Sequence, residues 1–280
     1  MNTAGRIAFQ GYLGAYSDLA CRTYDPARET LSSTAFEDAF AAVAEGRADL
    51  AMIPVENTLA GRVADVHRLL PDSGLFIIAE HFQPIRHALL GLPGSSADAL
   101  RHVHSHVHAL PQCRKALKRL DVEAHVHADT AGAAADIARR GDPMHGAIAS
   151  TLAAELYGLE ILESNIQDSE TNTTRFLVLA AAPQTPPLAE ADATLTTVYF
   201  QVRNIPAALY KALGGFATNG LNLTKLESFV DDRFQAARFY CDIAGHPDAP
   251  AFRNAWDELG FYAEDLRLLG SYPAHPFRRG

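Results

Sequence analysis

The sequence predicts an α/β protein in two parts, and three observations carry that expectation. Over roughly the first 180 residues, short apolar runs alternate with stretches of helical period. A Pro- and Ala-rich break without period, "AAPQTPPLAEADA", follows at 181–193. Beyond it the order changes to strand, helix, two strands, helix and strand.

Each element has its own signal. "RIAFQG" (6–11) is a strand, and "SDLACRTY" opens a helix. In "FEDAFAAVAEGRA" (36–48), Phe36, Phe40 and Val43 recur at helical spacing, and Gly46 is a stop. "DLAMIPV" (49–55) is a buried strand, "RVADVHRLL" a helix, and "LFIIAEHF" and "HALLGL" are strands. "LPQCRKALKRL" (110–120) is helical with Pro111 in its first turn. "VEAHVHA" is a strand, and "TAGAAADIARRG" (130–141) a helix with Asp129 as cap and Gly141 as stop. "HGAIAS", "TLAAELYG" and "RFLVLA" follow as strand, helix and strand. Such alternation argues for open α/β sheets, whose ligands sit at the βα turns outside the carboxyl ends of strands. After the break, "TLTTVYFQV", "PAALYKALGGFATNG", "LNLTKLESFV", "QAARFYCDIAG", "DAPAFRNAWDELGFY" and "EDLRLLGSY" give the β-α-β-β-α-β order of a ferredoxin-like unit.

Composition narrows the function classes. With 48% apolar and 20% charged residues, the 280-residue chain has an ordinary globular balance and ample material for a core. A formal charge of −9 argues against nucleic acid or an anionic membrane as a general partner, yet leaves room for a local cationic pocket. Cys21, Cys113 and Cys241 are far apart and form no CxxC, which fits a reducing cytosol. The start, "MNTAGRIAFQG", has no basic-then-apolar leader, and no run approaches the roughly 20 apolar residues of a bilayer span, so a cytoplasmic protein is expected. Neither a Gly-Lys-Ser/Thr phosphate loop, a GxGxxG with a later ribose acid, nor a GxSxG elbow is present, which weighs against nucleotide chemistry and serine hydrolysis.

Small polar residues gather where strands end. In "FQGYLGAYSDLA" (9–20), Gly11 and Gly14 relax the backbone and Ser17 can cap a helix whose N–H groups suit a carboxylate or phosphate; a capped helix with nothing bound is the alternative. In "MIPVENTLAGRV" (52–63), a buried strand ends in Glu56, Asn57 and Thr58 before a helix. Asn57 or Thr58 can serve as its cap, whereas Glu56 must find donors or water. In "HVHSHVHALPQC" (102–113), His102, His104, His106 and His108 share one strand face. Zinc sites normally draw on Cys, Asp or Glu as well, so a polar strand edge with Ser105 and Gln112 near a cleft is preferred and no metal is expected. In "HADTAGAAADIA" (127–138), Asp129 and Thr130 cap a helix whose small first turn admits close approach; packing of that turn on a sheet explains it equally. Finally, "ETNTTRFLV" (170–178) crowds hydrogen-bonding side chains and the guanidinium of Arg175 onto the lip of an apolar strand.

The ordered set "QGYLGAYSDLA", "PVENTLAG", "SHVHALPQC", "DTAGAAADIA", "NTTRFLVLA", "PAALYKAL" and "LNLTKLESF" resembles prephenate dehydratase with a C-terminal ACT regulatory domain, over roughly residues 5–272. The resemblance implies a catalytic domain at 1–181, two-lobed like periplasmic binding proteins, with its second lobe at about 82–165 and its active site in the interlobe cleft. A linker at 182–193 and an ACT domain at 194–280 complete it. Also implied are decarboxylating dehydration of prephenate to phenylpyruvate in phenylalanine biosynthesis, feedback by phenylalanine at the ACT domain, a homodimer or homotetramer, and no cofactor. Carried over by position, the catalytic set is Thr174, Glu56, Asn57, Ser105 and Gln112, with His106 and Cys113 in the same element as Ser105. Arg175, Ser17, Thr58, Asp129, Thr130 and Thr173 are the implied substrate contacts. Ala207, Ala208 and Leu209 stand where the family has Gly-Ala-Leu, and Asn222, Leu223 and Thr224 match its Asn-Leu-Thr. Glu227 and Ser228 match the start of its Glu-Ser-Arg-Pro, while Phe229 and Val230 depart from it. The loss of Gly at 207 and of Arg-Pro at 229–230 bears on phenylalanine binding, and Val107-His108 replaces the family's Pro-Gln.

The chemistry asks for these residue types. Prephenate is a dianion that loses hydroxide and carbon dioxide, driven by aromatisation. Arg175 has the planar fork that suits a carboxylate, and the turns at Ser17, Asn57 and Thr130 offer further anion sites. Thr174 is expected to donate to the leaving oxygen, with Glu56 or His106 as the proton source behind it. Arogenate as substrate, a non-catalytic amino-acid sensor and a zinc hydrolase on the histidine run are the competing readings.

Overall fold

The computed structural model describes residues 5–203, 205–230 and 236–279. Gln235, the first residue of the expected strand at 235–245, lies outside them. In chain order the elements are β1 (Arg6–Gln10), α1 (Tyr16–Tyr24), β2 (Glu29–Ser33), α2 (Phe36–Ala44), β3 (Leu50–Asn57), β4 (Gly61–Arg62), α3 (Ala64–Leu69), β5 (Phe76–Pro84), β6 (Ala88–Gly91) and β7 (His102–His106). There follow α4 (Arg114–Leu120), β8 (Glu123–His127), α5 (Thr130–Arg140), β9 (His145–Ala149), α6 (Thr151–Tyr157), β10 (Glu160–Glu163) and β11 (Thr173–Ala180). The last six are β12 (Thr194–Val202), α7 (Ala208–Thr218), β13 (Asn222–Val230), β14 (Ala236–Ala244), α8 (Pro250–Tyr262) and β15 (Ala263–Pro273). Among the described residues, no helix is long and apolar enough to cross a membrane.

Contacts divide the chain into Met1–Ala64 with His81–Phe176, and Asp65–Glu80 with Leu177–Gly280. In the first unit lies a sheet of order β10-β6-β9-β7-β8, in which β7 runs parallel to β8 and β9 while β6 is antiparallel to β9 and β10. The other α/β sheet has the order β2-β1-β3-β11-β5, with β1 parallel to β2 and β3. The sheets are therefore mixed. Edge strands β2 ("ETLSS") and β10 ("EILE") have no apolar run to announce them, because an edge strand need not be buried on both faces. The expected helix at 110–120 is divided: a 3₁₀ turn at Leu110–Cys113 precedes α4, and Cys113 itself leaves helical geometry. No helix follows Glu56-Asn57-Thr58 directly. β3 runs on to Asn57, turns, and pairs back with β4 before α3 begins.

In the second unit, β12, α7, β13, β14, α8 and β15 form an antiparallel sheet of order β13-β14-β12-β15, with a core that includes Phe200, Phe216, Phe239, Phe252 and Leu259. The segment 65–80 packs with this unit, and two of its contacts are especially specific. A Cβ at Gly270 would meet the Ile77 carbonyl oxygen at 2.1 Å, so only glycine admits that approach. Fully buried Glu80 accepts a bidentate pair from Arg278 at 2.7 and 2.9 Å, the geometry in which a buried carboxylate is best satisfied.

Candidate active site

Three βα turns, the hairpin turn after β3 and one strand converge on a cavity of about 260 Å³ inside the first unit. It is bounded by Tyr16 and Ser17 in the first turn of α1, Asn57 at the end of β3, His106 and Gln112 after β7, Thr130 at the start of α5, and Thr174 on β11. All but Thr174 lie at or after the carboxyl ends of strands, where open α/β sheets leave helix N-termini facing a crevice. The loop into α1 is clamped by α6 and its cap: Ser150 Oγ donates to the Gly14 carbonyl at 2.5 Å, and Tyr157 Oη to that of Leu13 at 2.7 Å. Gly14 has φ +86°, and a Cβ there would meet Ala153 Cα at 2.9 Å, so the clamp requires glycine.

A continuous chain of side-chain hydrogen bonds crosses the cavity wall. Asn57 Oδ1 accepts from the backbone N–H groups of Leu59 and Ala60, at 2.9 and 2.8 Å, which fixes its amide orientation. Its Nδ2 then donates to Thr174 Oγ1 at 2.9 Å and to Asn172 Oδ1 at 2.8 Å. Asn172 Nδ2 in turn donates to Gln112 Oε1 at 2.5 Å. The same oxygen lies 3.0 Å from His87 Nε2, so that nitrogen carries a proton. His87 Nδ1 faces the Tyr16 hydroxyl at 2.8 Å, which is also 2.9 Å from the Arg86 carbonyl. Burial holds His87 below the usual imidazole value, against the opposing effect of its bond to Gln112, and so favours the neutral ring that this pattern requires. Burial, and then Cys113, push the Tyr16 phenol well above its ordinary value. With its oxygen occupied by Asn57, Thr174 keeps its hydroxyl hydrogen for a partner in the cavity.

Thr174, Asn57, Gln112, Ser17, Thr130 and His106 of the expected residues line this cavity. Burial, then the adjacent His108, lower the His106 imidazole, while Asp129 opposes them. Asp129 caps α5 through Oδ1, which accepts from Gly132 N at 2.8 Å. Ser105 and Arg175 are placed elsewhere, and strand alternation is the reason. Ser105, expected at the cleft, is fully buried and donates to the Ile148 carbonyl at 2.6 Å, because odd positions of β7 face inward. Arg175, expected to meet substrate, is 2% exposed on the opposite face of β11 from Thr174, where its Nη1 donates to Glu56 Oε1 at 3.1 Å. Thr58 accepts from Thr173 N and donates to the Thr171 carbonyl, tying the turn after β3 to the entrance of β11. Thr173 is itself buried. Ser17 lies inside α1; the cap position is Ala15, and the Gly14 N–H is taken by Asp18. Cys113 is a core residue whose thiol is pushed up to about 12 by burial and by Asp168. His87, Tyr16 and Asn172 complete the chain without having been singled out as site residues. "QPIRHALL" carries no motif, and only the fold brings His87 to Gln112.

In the second unit, Ala208 is buried, Leu209 and Leu223 pack on the core, and Asn222, Thr224 and Ser228 are exposed along β13. Glu227 accepts from Lys225 Nζ at 3.0 Å. Ala207 adopts a left-handed φ of +60° as it caps α7, the conformation for which the family's glycine is suited.

The family model described as prephenate dehydratase matches residues 7–184. A Komagataeibacter europaeus protein described as a bifunctional N-acyl-homoserine lactone acylase/prephenate dehydratase is 50% identical over 280 residues, covering 100% of this chain and 99% of its own. The Arabidopsis thaliana arogenate dehydratase/prephenate dehydratase 1 is 37% identical over 96% of this chain and 72% of its own. A solved prephenate dehydratase from Arthrobacter aurescens, in complex with L-Phe, superposes with a TM-score of 0.87 at 27% identity, covering 98% of this chain and 91% of that one. The solved GqqA quorum-quenching acylase gives 0.92 at 50% identity, covering 98% and 100%. With its family-specific segment spanning well over half its length, this chain belongs to the prephenate dehydratase family of hydro-lyases.

Proposed function

We propose that the chain converts prephenate to phenylpyruvate in the cavity bounded by Asn57, Thr130 and Thr174. The single observation that carries this reading is the Asn57–Thr174 bond, in which the threonine oxygen accepts and so keeps its hydroxyl hydrogen to donate. As the ring C–O bond of substrate breaks, charge grows on the departing oxygen and this bond strengthens, an electrostatic effect of the oxyanion type. The first turns of α1 and α5, at Ser17 and Thr130, supply N-terminal dipoles for the two carboxylates. The ring carboxylate leaves as carbon dioxide, its bonding electrons enter the ring, and hydroxide departs with a proton. Of the two proton sources the sequence offers, Glu56 is engaged with Arg175, whereas His106 lines the cavity. Arg175 then acts as a positioning residue that ties β11 to β3.

The C-terminal β-α-β-β-α-β unit, from Thr194 to Pro273, is the ACT domain on this reading, following a catalytic domain at 1–181 and a linker at 182–193. On this reading phenylalanine inhibits through the segments that start at Ala207 and Asn222; that the Arthrobacter aurescens relative was solved in complex with L-Phe supports phenylalanine as the effector. Turnover of prephenate and arogenate side by side, with and without phenylalanine, tests substrate and regulation together. Binding of phenylalanine with neither substrate consumed would overturn the catalytic reading in favour of a sensor.

One observation favours a second activity. The 50% identity to the bifunctional Komagataeibacter europaeus protein extends over the whole chain. Hydrolysis of an N-acyl-homoserine lactone by the purified chain, measured beside prephenate turnover, decides it.

A further inference from the structure

Away from the cavity, the register of β7 with its two neighbours gathers histidines that are scattered in the sequence. His102 pairs across to Glu123 on β8 and to His145 on β9, while His104 pairs with His125. Because even positions of β7 point outward, these side chains share one face of the sheet. His102 Nδ1 lies 3.0 Å from His125 Nε2 and 3.3 Å from Glu123 Oε2, and the last two atoms are 3.7 Å apart.

We propose that His102, Glu123 and His125 form a binding site for a divalent transition metal of the zinc class. A tetrahedral zinc with ligands at about 2.0–2.1 Å has ligand–ligand edges of roughly 3.3 Å, and the three observed separations bracket that value. Two imidazole nitrogens and one carboxylate oxygen are a recurrent zinc donor set, with the fourth position left to water. Glu123 is exposed, so that position faces solvent. The rings are held from behind: His102 stacks on His145 with centroids 4.5 Å apart, His125 on His104 at 4.8 Å, and His104 Nε2 bonds His145 Nδ1 at 2.9 Å. Such backing orients ligands before the metal arrives. Arg140 Nη1 stands 3.4 Å from His145 Nε2, on the backing pair and not on the three ligands, and Asp142 lies beside it at 3.6 Å. Binding requires a lone pair on both His102 Nδ1 and His125 Nε2, so the hydrogen now shared between them moves to the other nitrogen of its own ring.

A bound ion would staple edge strand β8 to β7, and the test uses that consequence. Untagged full-length chain, stripped with chelator, is titrated with Zn²⁺ by calorimetry, with Co²⁺ absorption as a second readout. One equivalent, a rise in Tm and the visible bands of four-coordinate cobalt are expected. Glu123→Gln, which keeps shape, and His125→Asn should each weaken Zn²⁺ binding at least tenfold and abolish the Tm rise, with prephenate turnover as in the wild type. Absence of saturable binding, or equal affinity in both variants, would overturn the site.

Discussion

The cavity chain and the histidine face are both polar clusters carried on the same unit, yet they are built on opposite principles. From Tyr16 to Thr174, side-chain hydrogen bonds in the cavity wall run from one residue to the next, and the backbone at Leu59 and Ala60 sets the direction of the Asn57 amide. On the histidine face, three lone-pair-bearing atoms converge with too few hydrogens to separate them. A directed chain delivers a hydrogen bond to a point in space; a convergent one awaits a cation. Donor direction, more than residue type, separates the two.

Thr174→Ala should have the largest effect. It removes the one outward hydroxyl of the directed chain, and kcat should fall about 10²–10³-fold with little change in KM. Steady-state kinetics on prephenate check this, while Zn²⁺ affinity should not move. A rise in KM alone would reduce Thr174 to a binding contact. Arg175→Met comes next, since it removes the Arg175–Glu56 ion pair on the far face of β11. Glu56 is partly exposed, so the cost should be roughly 1–3 kcal/mol, below that of a fully buried pair. Urea unfolding measures it, and KM should stay near the wild-type value; a large KM rise with unchanged stability would return Arg175 to the substrate.

Ser105→Ala tests the inward face of the strand whose outward face carries the histidines. Loss of the bond to Ile148 should cost about 1 kcal/mol in stability and leave both kcat and Zn²⁺ affinity intact. A drop in kcat without destabilisation would reinstate it at the cleft. Ala207→Gly, in the second unit, should stabilise the protein by roughly 0.5–1 kcal/mol, since glycine accepts the left-handed φ without a Cβ clash. Thermal melting with and without phenylalanine reads the change. The smallest effect concerns pH. Burial lowers His87 from 6.5, so between 6.5 and its folded value the unfolded chain binds more protons. Stability should therefore fall as pH drops through that window, and His87→Gln should flatten the slope in urea midpoints measured across it.

Period and punctuation made most elements legible in advance. The run Thr194–Val202 was bounded to the residue, and Asp129 and Gly141 marked both ends of α5. Polar edge strands β2 and β10 escaped because period-based reading needs a buried face. At the site, motif order named Thr174, Asn57 and Gln112, but placed Ser105 and Arg175 beside them. Adjacency along a strand is opposition in space, because successive side chains leave by opposite faces.

By itself, the sequence determined the α/β class, the change of order after residue 193 and the family, since these depend on periodicity and on local motifs in a fixed order. Tertiary structure alone decided which side of each strand meets the cavity, that His87 and Asn172 bridge Gln112, and that Glu123 and His125 stand beside His102. Those relations are set by register and strand pairing between segments distant in the chain, and no local pattern encodes a partner's register.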